Sequence, residues 1–273
     1  MSPDPVMADD VLNIDVIRQQ LATHTVGRRL VLHDVVASTN ATLRKLADAG
    51  ALEGTVVLAE AQTAGRGRAR KTWFSPAGVN LYASVLLRPQ MEAAVASSVT
   101  FIASLAVADS VHDLGIKVGL KWPNDVLVQD RKVAGVRAEL ATKGQAVDYI
   151  VLGVGINLNV THQALQAGLG EMAATATSLR EALGHAVDRN AFAARFLTHL
   201  ERRLDTYLTK GAPSILAEWR DLDAVTGRQV EIREGPTTFV GRALGVDGEG
   251  HLRVEDVHKR IHTVVNGALR LIP

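Results

Sequence analysis

Gln62-Thr63-Ala64-Gly65-Arg66-Gly67-Arg68-Ala69-Arg70-Lys71-Thr72-Trp73 is the stretch on which the reading of this chain turns. It holds four cations and two glycines and ends on a large aromatic. From Ala61 to Met91 there is no Asp or Glu, although charged residues make up 22% of the chain. Uncompensated cations repel one another, so the segment is most easily held when something anionic sits in it. Glycine lets the backbone lie close against a ligand. Arginine adds planar donor forks that match carboxylate and phosphate oxygens. The stretch reads as an anion-binding loop, with a solvated basic loop or a nucleic-acid patch as the plain alternatives. It is not a Walker A loop, because Gly-Lys-Ser/Thr occurs nowhere in the sequence. Nor is it a Rossmann turn, because Arg70 stands at the third glycine position.

The totals narrow the class. A length of 273 residues and 47% hydrophobic content allow one large domain with a small appendage, or two modest ones. The absence of cysteine rules out disulfides and thiolate metal sites, and fits a reducing cytoplasm. Nine histidines are scattered; His258 and His262 are the nearest pair, in a strand-and-turn segment where helical metal-ligand spacing does not apply. A net charge of +1 gives no global pull towards DNA or membrane. No apolar run reaches the ~18 residues of a membrane span, and the first ten residues lack the pattern of a secretory signal. A cytoplasmic location is expected.

Working outward from the loop, residues 55–60 form a strand that delivers the chain into it. Residues 80–88 form another strand behind it. Upstream, Leu12, Val16, Ile17 and Leu21 recur at helical spacing. Ser38-Thr39-Asn40 opens a helix closed near Gly50, where the three polar side chains either satisfy orphan amides or offer hydrogen bonds to a ligand head. Downstream, residues 92–112 are Ala-rich and unbroken by Gly or Pro, which predicts a buried helix. Lys121-Trp122-Pro123-Asn124-Asp125 then turns at a strand end, bringing Lys121, Asn124 and Asp125 to one rim. In the strand over residues 132–140, Ala134, Val136, Ala138 and Leu140 share one face; Val133, Gly135, Arg137 and Glu139 share the other. A mid-strand glycine such as Gly135 marks a close approach.

Residues 149–160 repeat the alternation: Val154, Ile156, Leu158 and Val160 face a core, and Gly153, Gly155, Asn157 and Asn159 lie opposite. Two glycines make a floor on which a ring can lie, and Asn amides match an adenine edge. Close strand packing with Asn in a closing turn is the alternative. Residues 161–174 read as a mobile loop. A short helix ends at Gly184, and Asp188 caps a longer one with Phe192, Phe196, Leu200 and Leu204 as its stripe, which Lys210-Gly211-Ala212-Pro213 breaks. From Val225 onward, five short strands separated by Gly-rich turns predict a small β-barrel.

In this order and spacing, Gly65-Arg66-Gly67-Arg68 with Trp73, Lys121-Trp122-Pro123-Asn124-Asp125 and Gly153-Val154-Gly155-Ile156-Asn157 resemble the biotin–protein ligase family, together with Ser38-Thr39-Asn40 and Gln62. The resemblance implies an α+β fold: a mixed sheet flanked by helices, class II synthetase-like, followed by an SH3-like barrel. It divides the chain into a tail and helix (1–25), a catalytic domain (26–222) and a C-terminal domain (223–273). It implies ATP-dependent formation of biotinyl-5′-AMP, with Mg²⁺ on the phosphates, and transfer to a lysine of the biotin carboxyl carrier protein of acetyl-CoA carboxylase. Carried over residue by residue, Ser38, Thr39, Asn40, Gln62, Arg66, Gly67, Arg68, Lys121 and Gly135 bind biotin. Lys71, Trp73, Asn124 and Asn157 bind ATP, and Lys121, Arg66 and Arg68 carry catalysis. Asp125 is assigned the incoming amine, and no protein metal ligand is expected.

The chain departs from the common pattern at Arg70 and Lys71, where many members have Gly-Arg, and at Ala268, where an acidic residue is common. The short stretch before the first strand leaves no room for a helix-turn-helix domain, so a monofunctional ligase without DNA binding is expected. A homodimer is possible. Lipoate–protein ligase, on the same fold, and a non-catalytic biotin-sensing module are the alternatives.

Overall fold

A computed structural model describes residues 11–68, 71–89 and 98–272. Its centre is a mixed sheet of β1 (Arg29–Val36), β2 (Thr55–Gln62), β3 (Leu81–Leu87), β4 (Gly119–Lys121), β5 (Asp125–Val128), β6 (Arg131–Lys143) and β7 (Ala146–Ile156). The strand order is β1-β2-β3-β7-β6-β5-β4. Only β1 and β2 run parallel, and they need a crossover, which α2 (Thr39–Asp48) supplies.

Alternation assigns the two faces. Val56, Leu58, Val85, Leu87, Ala134, Val136, Leu152 and Val154 point to the main core, shared with α3 (Ser98–His112) and α6 (Arg189–Lys210). Val57, Leu86 and Val151 point the other way, against Leu43 and Ala47 of α2. Helix α3 is apolar nearly all round and buried nearly all round, as the sequence predicts for residues 98–112; residues 92–97 of that expectation lie outside the described ones. Its buried Ser104 and Ser110 hydroxyls donate back to Thr100 O and Ala106 O at 2.9 and 2.7 Å. For α6, Asp188 accepts from Ala191 N at 3.0 Å and Gly211 ends the helix at φ 75°. The short amphipathic helix near the start is α1 (Ile14–Gln20), with Ile17 buried.

Two expectations need correction. The segment expected to be a mobile loop is α4 (His162–Leu169), followed by a 3₁₀ turn (Gly170–Thr175). Thr161 caps α4 by accepting from Ala164 N at 3.2 Å, and Leu165 packs with Val160, Ala173 and Ala176 in a small separate cluster. Leu165 is the only residue of α4 that is buried, so no helical stripe stands out in the sequence. The break at Gly211 is followed at once by α7 (Ala212–Asp221), which went unread because Pro213, taken as a breaker, stands in its first turn. Between α4 and α6 lies α5 (Leu179–Leu183), closed by Gly184 as expected.

The chain ends in a five-stranded antiparallel sheet of β8 (Gln229–Glu234), β9 (Thr237–Val246), β10 (Leu252–Asp256), β11 (Ile261–Val264) and β12 (Ala268–Leu271), in the order β11-β10-β9-β8-β12. It docks on the β4 edge. Leu120 exchanges hydrogen bonds with Leu222 O (2.7 Å) and Ala224 N (2.9 Å), which covers that edge. Trp122 Nε1 donates to Gly250 O at 3.1 Å. Edge-to-face packing of Phe101 on Trp219, centroids 5.2 Å apart, fills the corner. No helix among the described residues is long and apolar enough to cross a membrane.

Candidate active site

On the α2 side of the sheet, register builds a floor. Paired positions on neighbouring strands share a face, so Asp125, Gly135, Gly155 and Tyr82 form one row, and Arg137, Gly153 and Ser84 the next. The glycines leave the middle of both rows without side chains, and the protein's own groups occupy the space. A Cβ on Gly153 would collide with the Asn40 amide, and one on Gly155 with the Trp73 indole. One on Gly135 would meet Trp73 and Lys132 at 3.1 Å. The ring lying on this floor is the protein's own Trp73, where the sequence reading places a ligand ring.

The basic stretch closes as a small turn over the floor. Arg66 and Thr72 bridge, Gly67 N donates to Lys71 O at 2.7 Å, and Trp73 N to Gly65 O at 2.9 Å. A side chain at Gly65 would strike Ser75 Oγ and Trp73 O, so the close approach there requires glycine. Two side chains tether the turn: Arg137 Nη1 donates to Gly67 O, and Arg68 Nη2 donates to Asn266 Oδ1 at 2.5 Å. Burial and the neighbouring Arg137 pull the Arg68 guanidinium down from its ordinary pKa, against the opposing pull of Asp125.

At the start of α2, Ser38 is the N-cap residue yet makes no side-chain capping bond. Its neighbours are engaged sideways instead. Thr39 N and Oγ1 donate to Gln62 Oε1 at 2.9 and 3.2 Å, and Gln62 Nε2 donates to Ser75 Oγ at 3.0 Å. Ser84 Oγ lies 2.8 Å from Thr39 Oγ1 and 2.6 Å from Asn40 Oδ1. Ser38, Thr39, Asn40 and Ser84 are buried, and the network orients these groups mutually, which makes a preorganised polar pocket.

At the other rim, Asp125 is 9% exposed and holds two ammonium groups, Lys121 Nζ at 2.9 Å and Lys132 Nζ at 2.5 Å. Burial pushes the Asp125 carboxyl up, but Lys132 and Lys121 outweigh it and hold the carboxyl below its usual range. Lys132 also stands 5.2 Å from the Trp73 ring centroid. Strict alternation places Lys132 with Ala134 on the core face, and sequence reasoning missed it. The pairing of β5 with β6 slips by one residue between Val126 and Leu127, which turns Lys132 to the cleft. Nothing in the local spacing signals that slip.

The cleft measures about 930 Å³. Ser38, Thr39, Asn40, Gln62, Arg66, Gly67, Arg68, Lys71, Trp73, Lys121, Asn124, Gly135 and Asn157 all line it. Asn124 is fixed by donating to Val136 O at 2.7 Å, and Asn157 by donating to Thr177 O at 2.9 Å. Asn159 is committed to Val187, donating and accepting at 2.8 Å, so it closes the strand. The sequence reading also left out Phe74, Leu165, Leu169 and Met172, which form an apolar end, and Gly267 to Ile272, which form a wall supplied by the C-terminal sheet. Among the described residues no group of three or more His, Cys, Asp or Glu is placed to hold a metal ion.

The sequence profile of the Biotin/lipoate A/B protein ligase family matches residues 32–157. The chain is 36% identical over 240 residues to the bifunctional ligase/repressor BirA of Bacillus subtilis, covering 88% of this chain and 73% of that protein. It is 38% identical over 226 residues to the biotin–[acetyl-CoA-carboxylase] ligase of Paracoccus denitrificans, covering 79% and 89%. Among solved structures, the biotin protein ligase of Aquifex aeolicus, in complex with biotin and ATP, superposes with a TM-score of 0.76 at 27% identity, over 90% of this chain and 99% of that one. The similarity therefore spans both the sheet that floors the cleft and the sheet that walls it, and the chain belongs to the biotin protein ligases of the biotin/lipoate A/B protein ligase family.

Proposed function

We propose that the cleft joins biotin to ATP and then hands the acyl group to a lysine of a biotin carboxyl carrier protein of acetyl-CoA carboxylase. The observation that carries this reading is the pair of lysines fixed on one buried carboxylate, Lys121 and Lys132 on Asp125, facing the basic turn across the glycine floor. A carboxylate and a polyphosphate repel each other, and bringing them within reacting distance requires preorganised positive charge on both sides.

In the first step a biotin carboxylate oxygen attacks the α-phosphorus of ATP. A P–O bond forms, the bond to the β-phosphate breaks, and pyrophosphate leaves. Ser38, Thr39, Asn40 and Gln62 take the polar head of biotin, and Gly135 lets its rings lie close. Arg66, Arg68, Lys121 and Lys132 hold the carboxylate and α-phosphate together. Lys71, Trp73, Asn124 and Asn157 take the nucleotide. Mg²⁺ would enter as the ion of MgATP and would help to neutralise the phosphates. In the second step the acceptor lysine amine attacks the acyl carbon, the bond from that carbon to the phosphate oxygen breaks, AMP departs, and the proton lost by the amine passes to water. Asp125 at the rim orients that amine. Residues 26–222 act as the catalytic unit, with residues 223–273 as its C-terminal partner.

Pyrophosphate exchange with biotin or lipoate in separate reactions tests the substrate. Exchange with biotin alone is expected, and exchange with lipoate alone makes this a lipoate ligase. AMP release on adding an acceptor peptide is expected as well, and its absence in the presence of biotin binding marks a sensing module.

A further inference from the structure

Glu139 lies on β6 beyond Gly135, on the same face, and lines the cleft. Its Oε1 accepts from Asn40 Nδ2 at 3.1 Å and from Arg137 Nε at 2.8 Å, and Arg44 approaches Oε2 at 3.7 Å. Burial pushes the Glu139 carboxyl up, but the bonds from Asn40 and Arg137 outweigh it and hold the carboxyl below its usual range. An ionised carboxylate can only accept. It therefore fixes which end of the Asn40 amide faces it: the NH₂ group turns to Glu139, and Oδ1 turns to Ser84. The buried Ser84 hydroxyl spends its one hydrogen on Asn40 Oδ1 at 2.6 Å. Thr39 Oγ1 has one hydrogen and two acceptors in reach, Ser84 Oγ at 2.8 Å and Gln62 Oε1 at 3.2 Å. Whichever takes it, that hydrogen stays inside the protein.

We propose that Glu139 is a positioning residue that sets the polarity of the pocket at the start of α2, and so selects a ligand head that donates N–H groups. The proposal rests on reading the cleft as the biotin site and adds what that site demands of the head. The Ser84 and Asn40 hydrogens are drawn along the line towards the carboxylate. What Thr39 Oγ1 and Asn40 Oδ1 have left to offer a ligand is lone pairs, and both residues line the cleft. With a neutral side chain in place of Glu139, the Asn40 amide could turn end for end. Its NH₂ would then donate to Ser84, and the line would reverse. A cyclic urea brings N–H donors to these acceptors. A dithiolane or a plain acyl chain brings none and would leave them buried and unpaired, which is the costly case. A site built on hydrogen bonds to its substrate rejects an analogue lacking those groups far more strongly than an apolar pocket does.

Dissociation constants of the full chain for biotin, desthiobiotin and octanoate test this, the first two by calorimetry and octanoate by competition. Desthiobiotin keeps the cyclic urea without the sulfur ring, and octanoate keeps a carboxylate and an acyl chain without any N–H. Glu139→Gln keeps the size of the side chain and removes its charge. In that variant biotin and desthiobiotin are expected to weaken by the same factor, about tenfold, with octanoate within about twofold of the parent. The KM for biotin should rise by a larger factor than kcat falls. Ser84→Ala, which removes the middle hydroxyl, should show the same selective loss, and the double variant should lose less than the product of the two. Thermal melts identify any variant that fails to fold, and Ser84→Ala carries the comparison if Glu139→Gln does. Unchanged biotin affinity overturns the inference, as does an equal loss for biotin and octanoate, which marks a merely structural role. A parent that binds octanoate or lipoate more tightly than biotin overturns the biotin-site reading instead, while the variant-to-parent ratios for desthiobiotin and octanoate still decide the polarity of the pocket.

Discussion

Trp73 stands on Gly155: the indole fills the volume that a Cβ there would need. Its Nε1 is buried with no acceptor among the described residues, and Lys132 Nζ covers the ring at 5.2 Å. Backbone seats one side and a cation the other, so a flat ligand using this floor must stack on the indole or displace it. Trp122 and Trp219 are each 1% exposed. The ligand-dependent part of the tryptophan emission should therefore come from Trp73. Biotin with ATP is expected to change the emission of the parent and to leave Trp73→Phe unchanged. A change of equal size in Trp73→Phe places the signal elsewhere and removes Trp73 from the nucleotide site.

On the proposed reaction, the two lysines on Asp125 stand where negative charge would accumulate during adenylation. Removing one preorganised charge contact of this kind slows chemistry by about 10²–10³. Lys121→Ala and Lys132→Ala should each show that loss in single-turnover formation of biotinyl-AMP. Because both share one carboxylate, the double variant should lose less than the product of the single losses. A rate within a few-fold of the parent removes that lysine from the mechanism.

Asp125 itself gives a pH prediction. Its folded pKa is held below the ordinary value of about 3.9 by its two lysine partners. Stability from such a group is fully present above the unfolded pKa and is lost as pH falls through the lower folded value. Asp125→Asn lacks that contribution at every pH. Breaking a buried pair costs about 3–5 kcal/mol, with the lower end expected because both lysines reach solvent. In urea unfolding, the stability gap between parent and Asp125→Asn should be constant from about pH 7 to pH 5 and close below about pH 4. A gap that widens on acidification contradicts the arrangement.

What the sequence disclosed follows from where information is local. The basic turn, the Gly153–Gly155 floor and the Lys121–Asp125 rim are each written in a few consecutive residues, and the cleft gathers all of them. Strand alternation likewise sorted Ala134 from Gly135 correctly. Lys132 escaped because its side is set by a register slip between two strands, and pairing is a property of two segments. Helix α4 escaped because one buried leucine carries its packing. The wall from Gly267 to Ile272 escaped because docking of the second sheet depends on contacts such as Trp122 with Gly250, 128 positions apart.

Glu201 shows how distant contacts of this kind hold the approach to the sheet. From within α6 its carboxylate accepts from the backbone amides of His24, Thr25 and Val26, the last two at 2.8 and 2.6 Å. Glu201 is 7% exposed. Glu201→Ala leaves amides without an acceptor, at about 1–3 kcal/mol for each that water cannot reach. Chemical denaturation should show a loss of that size or somewhat more, with pyrophosphate exchange at 25 °C retained in the folded fraction. A loss below about 0.5 kcal/mol indicates that water replaces the carboxylate and that the anchor is dispensable.

Arg66 and Arg68 are two residues apart but differently committed. Arg68 is tied to Asn266 in the connection between β11 and β12. Arg66 lines the cleft, and among the described residues only its backbone is engaged, in the bridge to Thr72. On the proposed reaction, the Arg66 guanidinium would hold the acyl-phosphate in the cleft it lines. Losing a hydrogen bond to a charged group costs about 1.5–3 kcal/mol, or roughly 10–100-fold in an equilibrium. Such losses act mostly on the off-rate among variants of one site. Arg66→Ala is therefore expected to release biotinyl-AMP about 10–100 times faster than the parent, measured by chase with excess unlabelled biotin and ATP. Arg68→Ala should loosen the turn as well as the ligand, so its trypsin sensitivity should rise where that of Arg66→Ala at the remaining bonds does not. Equal off-rates in parent and Arg66→Ala assign retention of the intermediate to the rest of the turn.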